Sequence, residues 1–392
     1  MKNKRVLILL ENLPLPSDRR AWTQAKALKE SGRDVSVVCP RFKGQKGFEV
    51  IDGIYLYRYA MTPATKGALS YICEFSYCFL MTLMLSFYVY VRRGFDVIQS
   101  GNPPDTFFAI GLIFKCLGKK YYFDHRDLCP EVYLAKYGEN KKDIFYRALF
   151  VLEYLTYKTA DRILVPNKSY REIGISRNRV RPDKIFVVRG SPDPAAFKTA
   201  QGEPSLKQGK KYLVAYMGVM APQDGVDYLL RAVDVIVNKL GRRDILFSLT
   251  GRGDAVEDLK KMAERLGISG AIVFTGWLTG DTMMKYLSTS ELCVAPDPKN
   301  AFNNTSTANK ILEYMAVSKP IVSFDLKEAR YSAGEAAVYA RPNEIKDFAE
   351  KILELLEDPE RRQKMGMEGY RRLKGELSAD YNKRILLSAY DI

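Results

Sequence analysis

Several short stretches of this chain gather residue types that can do chemistry. In NNTSTANKILEYMA, Asn304, Thr305 and Ser306 precede a helical pattern whose first turns hold Lys310 and Glu313. Thr305 and Ser306 are good N-cap residues. A helix start offers free N–H groups, which together with an ammonium suit a diphosphate; the carboxylate suits a ribose diol. The same spacing also fits a solvated helix with an i,i+3 Lys–Glu pair. MGVMAPQDG and TGRGD place Gly218, Gly251 and Gly253 at strand ends, where glycine lets backbone approach phosphate. Neither is a G-x-G-x-x-G or a P-loop, and an ordinary tight turn explains each equally.

YYFDHRDLCPEVY holds His125, the one histidine of the chain, beside Arg126 and Asp127. Neighbours on a strand point to opposite faces, so His125 and Arg126 share a face only if the strand has ended. His125 or Asp127 could orient an acceptor hydroxyl, and Arg126 could hold an anion. The reading favours His125 as the catalytic group, with Arg126 as rival and a structural histidine as the alternative. In ENLPLPSDRR, Asp18 can cap a helix whose first turn carries Arg19 and Arg20. The helix dipole does not favour cations there, which predicts an anion nearby. SGNPPD offers Asn102, and Asp105 as either an N-cap or an acceptor ligand.

The elements that must position these residues alternate along the chain. RVLILL, DVSVVCP, DVIQS, KKYYFDH, RILVPN and KIFVVRG read as strands separated by helices, with a hairpin at FEVIDGIYLYRY. After a break rich in proline and glycine the alternation restarts with LVAYMG, ILFSLTG, IVFTG, LCVAPD and IVSF. Continuous apolar strands spaced by helices predict parallel sheets covered on both faces. The expectation is two facing, doubly wound Rossmann-like α/β domains with an interdomain cleft. Residues 1–190 form the first, 191–211 a linker and 212–375 the second, with 376–392 a C-terminal helix packing back on the first. Ligands in such sheets bind outside the carboxyl ends of the strands, where these polar loops lie.

Composition narrows the partners. The chain has 392 residues and a formal net charge of +15, which attracts anions. No block of five Lys or Arg occurs, which argues against a nucleic-acid tail. The six cysteines form no CxxC and no zinc spacing, which fits a reducing cytoplasm. The N-terminal apolar run ends after a few residues at Glu11 and reads as a first strand rather than a signal peptide. Residues 68–94 form a long apolar helix ending in Arg92 and Arg93; it reads as a buried helix or as one that also touches lipid.

ANKILEYMAVSKPIVSFD resembles the nucleotide-sugar signature of the family 4 retaining glycosyltransferases of the GT-B fold. VPN, VVRGSPDPAAF, YMGVMAPQDGVDYLL, LTGRGD and VFTGW follow in the family's order, so the likeness spans nearly the whole chain. FDHRDLCPE is similar to members that build bacterial surface polysaccharides. The resemblance implies a nucleotide-sugar donor, a UDP-sugar by preference, held by the second domain. Glu313 would take the ribose hydroxyls, Thr305 and Ser306 would face the sugar and diphosphate, and backbone near Trp277 and Leu278 would frame the base. Gly218 would let the diphosphate approach. A glycan or polyprenyl-linked acceptor would occupy the first domain. No cofactor or metal is implied, because helix dipoles and basic side chains can neutralise the leaving diphosphate. The chain departs from the family at Thr305, where a glutamate is common, and at Val219 and Asp224, where Arg and Lys are common. Arg252, Lys310 and Arg189 are the candidates to replace them. A third departure puts Arg126 where many relatives have histidine. The expectation is a cytoplasmic enzyme, peripheral at the anionic inner face of the cell membrane, with no nucleic-acid partner. Its alternatives are a GT-B epimerase or phosphorylase, or a non-catalytic basic module binding membrane or nucleic acid.

Overall fold

The computed structural model describes residues 5–61, 68–138, 140–192, 197 and 200–391. The basic residues 1–4 and, within the expected linker, 193–196 and 198–199 lie outside them. The chain divides into two compact units. The first comprises Met1–Leu134, Glu139–Arg189 and Asn382–Ile392; the second comprises Ala135–Gly138 and Gly190–Tyr381.

In the first unit the strands are β1 (Arg5–Leu9), β2 (Asp34–Arg41), β3 (Phe48–Ile51), β4 (Ile54–Ala60), β5 (Val97–Gly101), β6 (Lys120–Asp124), β7 (Arg162–Val165) and β8 (Ile185–Val187). They form one sheet in the order β3-β4-β2-β1-β5-β6-β7-β8. Only β3 runs antiparallel, in a hairpin with β4. Leu7, Ile8 and Leu9 of β1 are fully buried, as a strand covered by helices on both faces requires. One side is covered by the helices Ala68–Arg92, Phe108–Cys116 and Ile144–Thr159, which share a core with Ile98, Tyr121 and Phe123. The other side carries Arg19–Glu30 and the C-terminal helix Ala379–Tyr390, whose Leu386, Ala389 and Tyr390 pack with Ile8, Val37 and Tyr122. Lys383 also pairs with Glu30 at 2.6 Å.

In the second unit β9 (Tyr212–Met217), β10 (Ile245–Thr250), β11 (Ile272–Gly276), β12 (Leu292–Ala295), β13 (Ile321–Phe324) and β14 (Ala337–Ala340) form an all-parallel sheet. Its order is β11-β10-β9-β12-β13-β14. Every residue of β9 and β10 is buried. In each sheet the chain order reverses beside one strand, β1 in the first and β9 in the second. The loops leaving β1 and β5, and those leaving β9 and β12, therefore flank the positions where doubly wound sheets bind ligands.

Candidate functional site

The first unit gathers its charged residues at the carboxyl ends of β1, β5 and β6. Asp124 is fully buried. Arg20 reaches it with Nη2 at 2.6 Å, and Arg126 with Nε at 2.9 Å. Burial alone would raise the pKa of Asp124, but the two guanidiniums outweigh it and hold it at about 2. Asp18 caps the helix Arg19–Glu30 by accepting from the Ala21 amide at 2.9 Å, and its other oxygen takes Arg126 Nη1 at 2.5 Å. Behind Asp124 a polar chain runs through Gln24 and Gln99 to the hydroxyl of Tyr390. The anion predicted beside the first-turn arginines is thus Asp124, and Arg20 is the residue that meets it; Arg19 is exposed. A Cβ at Gly101 would lie 2.6 Å from Arg126 Nε, so a side chain there would displace the guanidinium from Asp124.

His125 faces the opposite way. Its amide still donates to Leu164 of β7 at 2.8 Å, so the chain remains extended and side chains alternate. Phe123 and His125 point to one side, Asp124 and Arg126 to the other. The His125 ring stacks on Phe123 at 5.2 Å, and Nδ1 lies 2.6 Å from the Tyr157 hydroxyl. Burial drives its pKa down to about 3. The catalytic reading of His125 is therefore corrected: it is a neutral core residue, and Arg126 is the one in the polar cluster. The Nη2 of Arg126 is buried without a hydrogen-bond partner.

Asn102, expected to touch an anion or acceptor, instead clamps this loop. Its Oδ1 accepts from the Arg126 amide at 2.6 Å and its Nδ2 donates to the Asp127 carbonyl at 2.7 Å. Asp105 caps no helix: the cap position of Phe108–Cys116 is Phe107, and burial pushes the Asp105 carboxyl up to about 7. Asp127 is half-buried, and burial raises its carboxyl to about 6 against the pull of Arg126 and Arg20. That makes it the residue of this loop best poised to exchange a proton near neutrality. Arg189 is buried in the first unit, its amide held by Asn382 at 2.7 Å.

In the second unit the loops leaving β9, β10 and β11 are laced by backbone bonds. Gly218 N–H donates to Thr250, Met220 to Arg252 and Gly251 to Gly276. A Cβ on Gly251 would sit 1.8 Å from the Gly218 carbonyl, so loop packing alone demands this glycine. At Gly218 a Cβ would lie 3.1 Å from the Tyr216 hydroxyl and 3.3 Å from Lys310 Cε. Lys310 is buried, with Nζ 2.7 Å from Asp297 and 4.0 Å from Asp224. Burial opposes its charge, but the two carboxylates raise its pKa. Burial in turn pushes Asp224 up to about 6, opposed by Lys310. The charge of Lys310 is thus already matched inside the protein.

The expected cap also moves. A short helix, Ala301–Thr305, precedes the EYMA helix, Asn309–Ala316. Thr305 ends the first, its hydroxyl donating to Ala301 at 2.9 Å, and Ser306 follows as C-cap. Ala308, with no capping side chain, begins the second. Asn304 accepts from the Lys327 amide at 3.0 Å. Along Asn309–Ala316, Tyr314 is buried and its hydroxyl accepts from the Met217 amide at 2.8 Å, whereas Glu313 is half-buried. After β10 and β11, Arg252 lies over the Trp277 ring at 4.9 Å, and both are exposed. Leu278 packs partly buried against the core. The structure thus brings Gly218 and Lys310 together, and Arg252 and Trp277 together.

The comparisons with known proteins bear on the second unit most directly. Residues 211–358 match the family described as glycosyl transferases group 1. An uncharacterized glycosyltransferase of Methanocaldococcus jannaschii is 26% identical over 184 residues, 45% of each chain. The chain spans under half the length of the first curated relatives it matches. A sucrose-phosphate synthase of Thermosynechococcus elongatus superimposes with a TM-score of 0.82 at 12% identity, covering 99% of this chain and 98% of that one. The Anabaena protein HepE, solved with UDP-glucose, gives 0.74 at 14% identity, covering 98% and 99%. The fold is GT-B.

Within the second unit, sequence reasoning missed Asp297 and Tyr216, which surround Lys310. Asp297 follows β12 in APDP, a strand-end position that the carboxyl-edge rule could have flagged. In the first unit it missed Asp124 as the hub of the arginine cluster. A carboxylate ending an apolar strand next to a predicted basic turn was the available signal. Among the described residues no group of three or more His, Cys, Asp or Glu has the arrangement of a metal site.

Proposed function

We propose that this protein is a retaining glycosyltransferase that moves a sugar from a nucleotide-sugar donor, preferably a UDP-sugar, to a lipid-linked or growing surface-glycan acceptor. The observation that carries this reading is the match of residues 211–358 to group 1 glycosyl transferases, with Glu313 half-buried on a helix whose other residues from Lys310 to Ala316 are buried, in the unit that also presents the Arg252–Trp277 pair. Glu313 takes the ribose hydroxyls. Trp277 offers a flat face to the base, and Arg252 a guanidinium to the diphosphate. In the reaction the bond from the donor's anomeric carbon to the diphosphate oxygen breaks. A bond to the acceptor oxygen forms on the same face, and the acceptor's proton passes to the departing diphosphate oxygen. Asp127, the first-unit carboxyl raised toward neutrality, orients that acceptor hydroxyl. Arg126, whose buried Nη2 has no hydrogen-bond partner, offers it to an acceptor anion. The reading needs no metal, places the protein in the cytoplasm and includes a peripheral contact with the inner leaflet.

Calorimetry against UDP-, GDP- and dTDP-sugars tests it. Binding of one class, lost on Glu313→Ala in a folded variant, is the expected result. If no nucleotide sugar binds the intact protein, the reading fails.

A further inference from the structure

The helix Ala68–Arg92 has two stripes. Cys78, Thr82, Ser86 and Val89 recur every three or four residues and are buried. Leu80, Met84, Phe87 and Val91 recur at the same spacing and are exposed, Met84 by 64% and Val91 by 80%. An outward stripe of this kind does not suit water. The segment Cys73–Arg92 is long and apolar enough to cross a bilayer, with a mean hydropathy of 1.4 over its window. The buried stripe argues against crossing, because it holds the helix flat along the sheet.

Two neighbouring helices on the same side of the sheet extend the apolar surface. Phe87 packs on Phe114 at 5.0 Å, and Val89, Ile110, Phe114 and Tyr157 share one core. Outward, Phe108–Cys116 exposes Leu112 and Ile113, and Ile144–Thr159 exposes Ile144, Phe145, Val151 and Tyr154. The charges among these exposed positions have one sign. Arg92, Arg147 and Lys158 are exposed, whereas Glu74 is half-buried and Glu153 buried. Lys141 and Lys142, also exposed, lie just before the third helix.

We propose that these three helices form a docking face for an anionic bilayer. Leu80, Met84 and Val151 enter the headgroup and upper acyl region while Arg92, Arg147 and Lys158 meet lipid phosphates. The inference deepens the peripheral contact proposed above and does not depend on glycosyl transfer. Apolar depth with a basic outward face, on which the described residues of the three helices expose no carboxylate, favours anionic lipid over a second copy of this basic chain, whose matching face would repel it.

The test uses the full chain with vesicles of phosphatidylcholine alone or with one-third phosphatidylglycerol. Co-sedimentation with the anionic vesicles is expected, weakened about ten-fold by Leu80→Glu with Met84→Glu and similarly by Val151→Glu. Arg147→Glu with Lys158→Glu should weaken it and flatten its dependence on salt. Thermal unfolding and nucleotide-sugar binding of each variant show that the fold survives and keep this question separate from catalysis. Equal binding to neutral and anionic vesicles overturns the proposal. So does vesicle binding that ignores Val151→Glu. A dimer in sedimentation velocity that dissociates with the same variants, without vesicle binding, assigns the face to a second copy and also overturns it.

Discussion

The Nδ1 atom of His125 lies 2.6 Å from the hydroxyl of Tyr157, inside the first unit's core. Burial holds the ring neutral, with a pKa of about 3. In the unfolded chain the pKa returns to about 6.5. Above that value both states are neutral and the group adds no pH dependence. As pH falls from about 6.5 toward 3, the unfolded chain takes a proton that the folded one refuses. Stability should then decline by up to about 1.4 kcal/mol per pH unit from this group. His125→Phe should remove that component and cost about 1–3 kcal/mol near neutrality by leaving Tyr157 without its partner. Urea titrations near pH 7 and near pH 5 check both; an unchanged slope in the variant rules out the neutral-core assignment.

Asp124 should show a different acid dependence. Its folded pKa of about 2 lies below an unfolded value of about 3.9. The stabilisation is complete above about 3.9 and disappears as pH falls through about 2. Asp124→Asn should therefore cost about 2–3 kcal/mol near neutrality, with little difference from wild type near pH 2. Chemical denaturation across that range measures it. Transfer should fall as well, because Arg20 and Arg126 lose the carboxylate that fixes them.

Asp224 should set a pH dependence on donor binding. It lies 4.0 Å from Lys310, with a carboxyl raised to about 6. Protonation removes a negative charge beside the ammonium. Affinity for a UDP-sugar, whose diphosphate diester keeps its charge here, should rise several-fold as pH falls from about 7.5 to 5.5. Asp224→Asn should bind tightly throughout and lose that dependence. Calorimetry at the two ends of the range decides. A flat wild-type profile would exclude Asp224 from the donor's surroundings.

Much of this architecture is legible in the sequence because buried parallel strands are continuous apolar runs. LVAYMG and ILFSLTG stand out for that reason and became β9 and β10. AVYA, which became β14, does not: two alanines in four residues carry little strand preference. The five-residue helix Ala301–Thr305 is hidden in a run of Asn, Thr and Ser that reads equally as a cap. That ambiguity displaced the expected N-cap from Ala308. At His125 the alternation rule was the right tool, but its use depends on where β6 stops, and the bond to Leu164 that extends it is tertiary. Strand-end position could mark Asp297 and Asp124 as candidates, but their pairing with Lys310 and Arg20 is tertiary too. Asp297, just after β12, and Asp124, at the end of β6, reach them at sequence separations of 13 and 104 residues.

The Arg252–Trp277 pair supplies the sharpest test of donor recognition. The guanidinium lies 4.9 Å from the ring centroid and both groups are exposed. Such a contact stabilises the fold by only about 0.5–1 kcal/mol, so either residue can be replaced without unfolding. A guanidinium–diphosphate bond is stronger, about 1.5–3 kcal/mol. Arg252→Ala should therefore weaken UDP-sugar binding about ten-fold or more while the melting temperature barely moves. Arg252→Lys keeps the charge but not the planar fork, and should recover only part of the loss. The chain has two tryptophans, so in a Trp22→Phe background the emission reports Trp277 alone. A base stacking on that ring should quench it, saturating at the affinity found by calorimetry. Quenching in Arg252→Ala should reach the same plateau at higher ligand concentration, because the stack survives when the phosphate contact is lost. An emission that ignores saturating UDP-sugar removes Trp277 from the base site, whatever Arg252→Ala does to affinity.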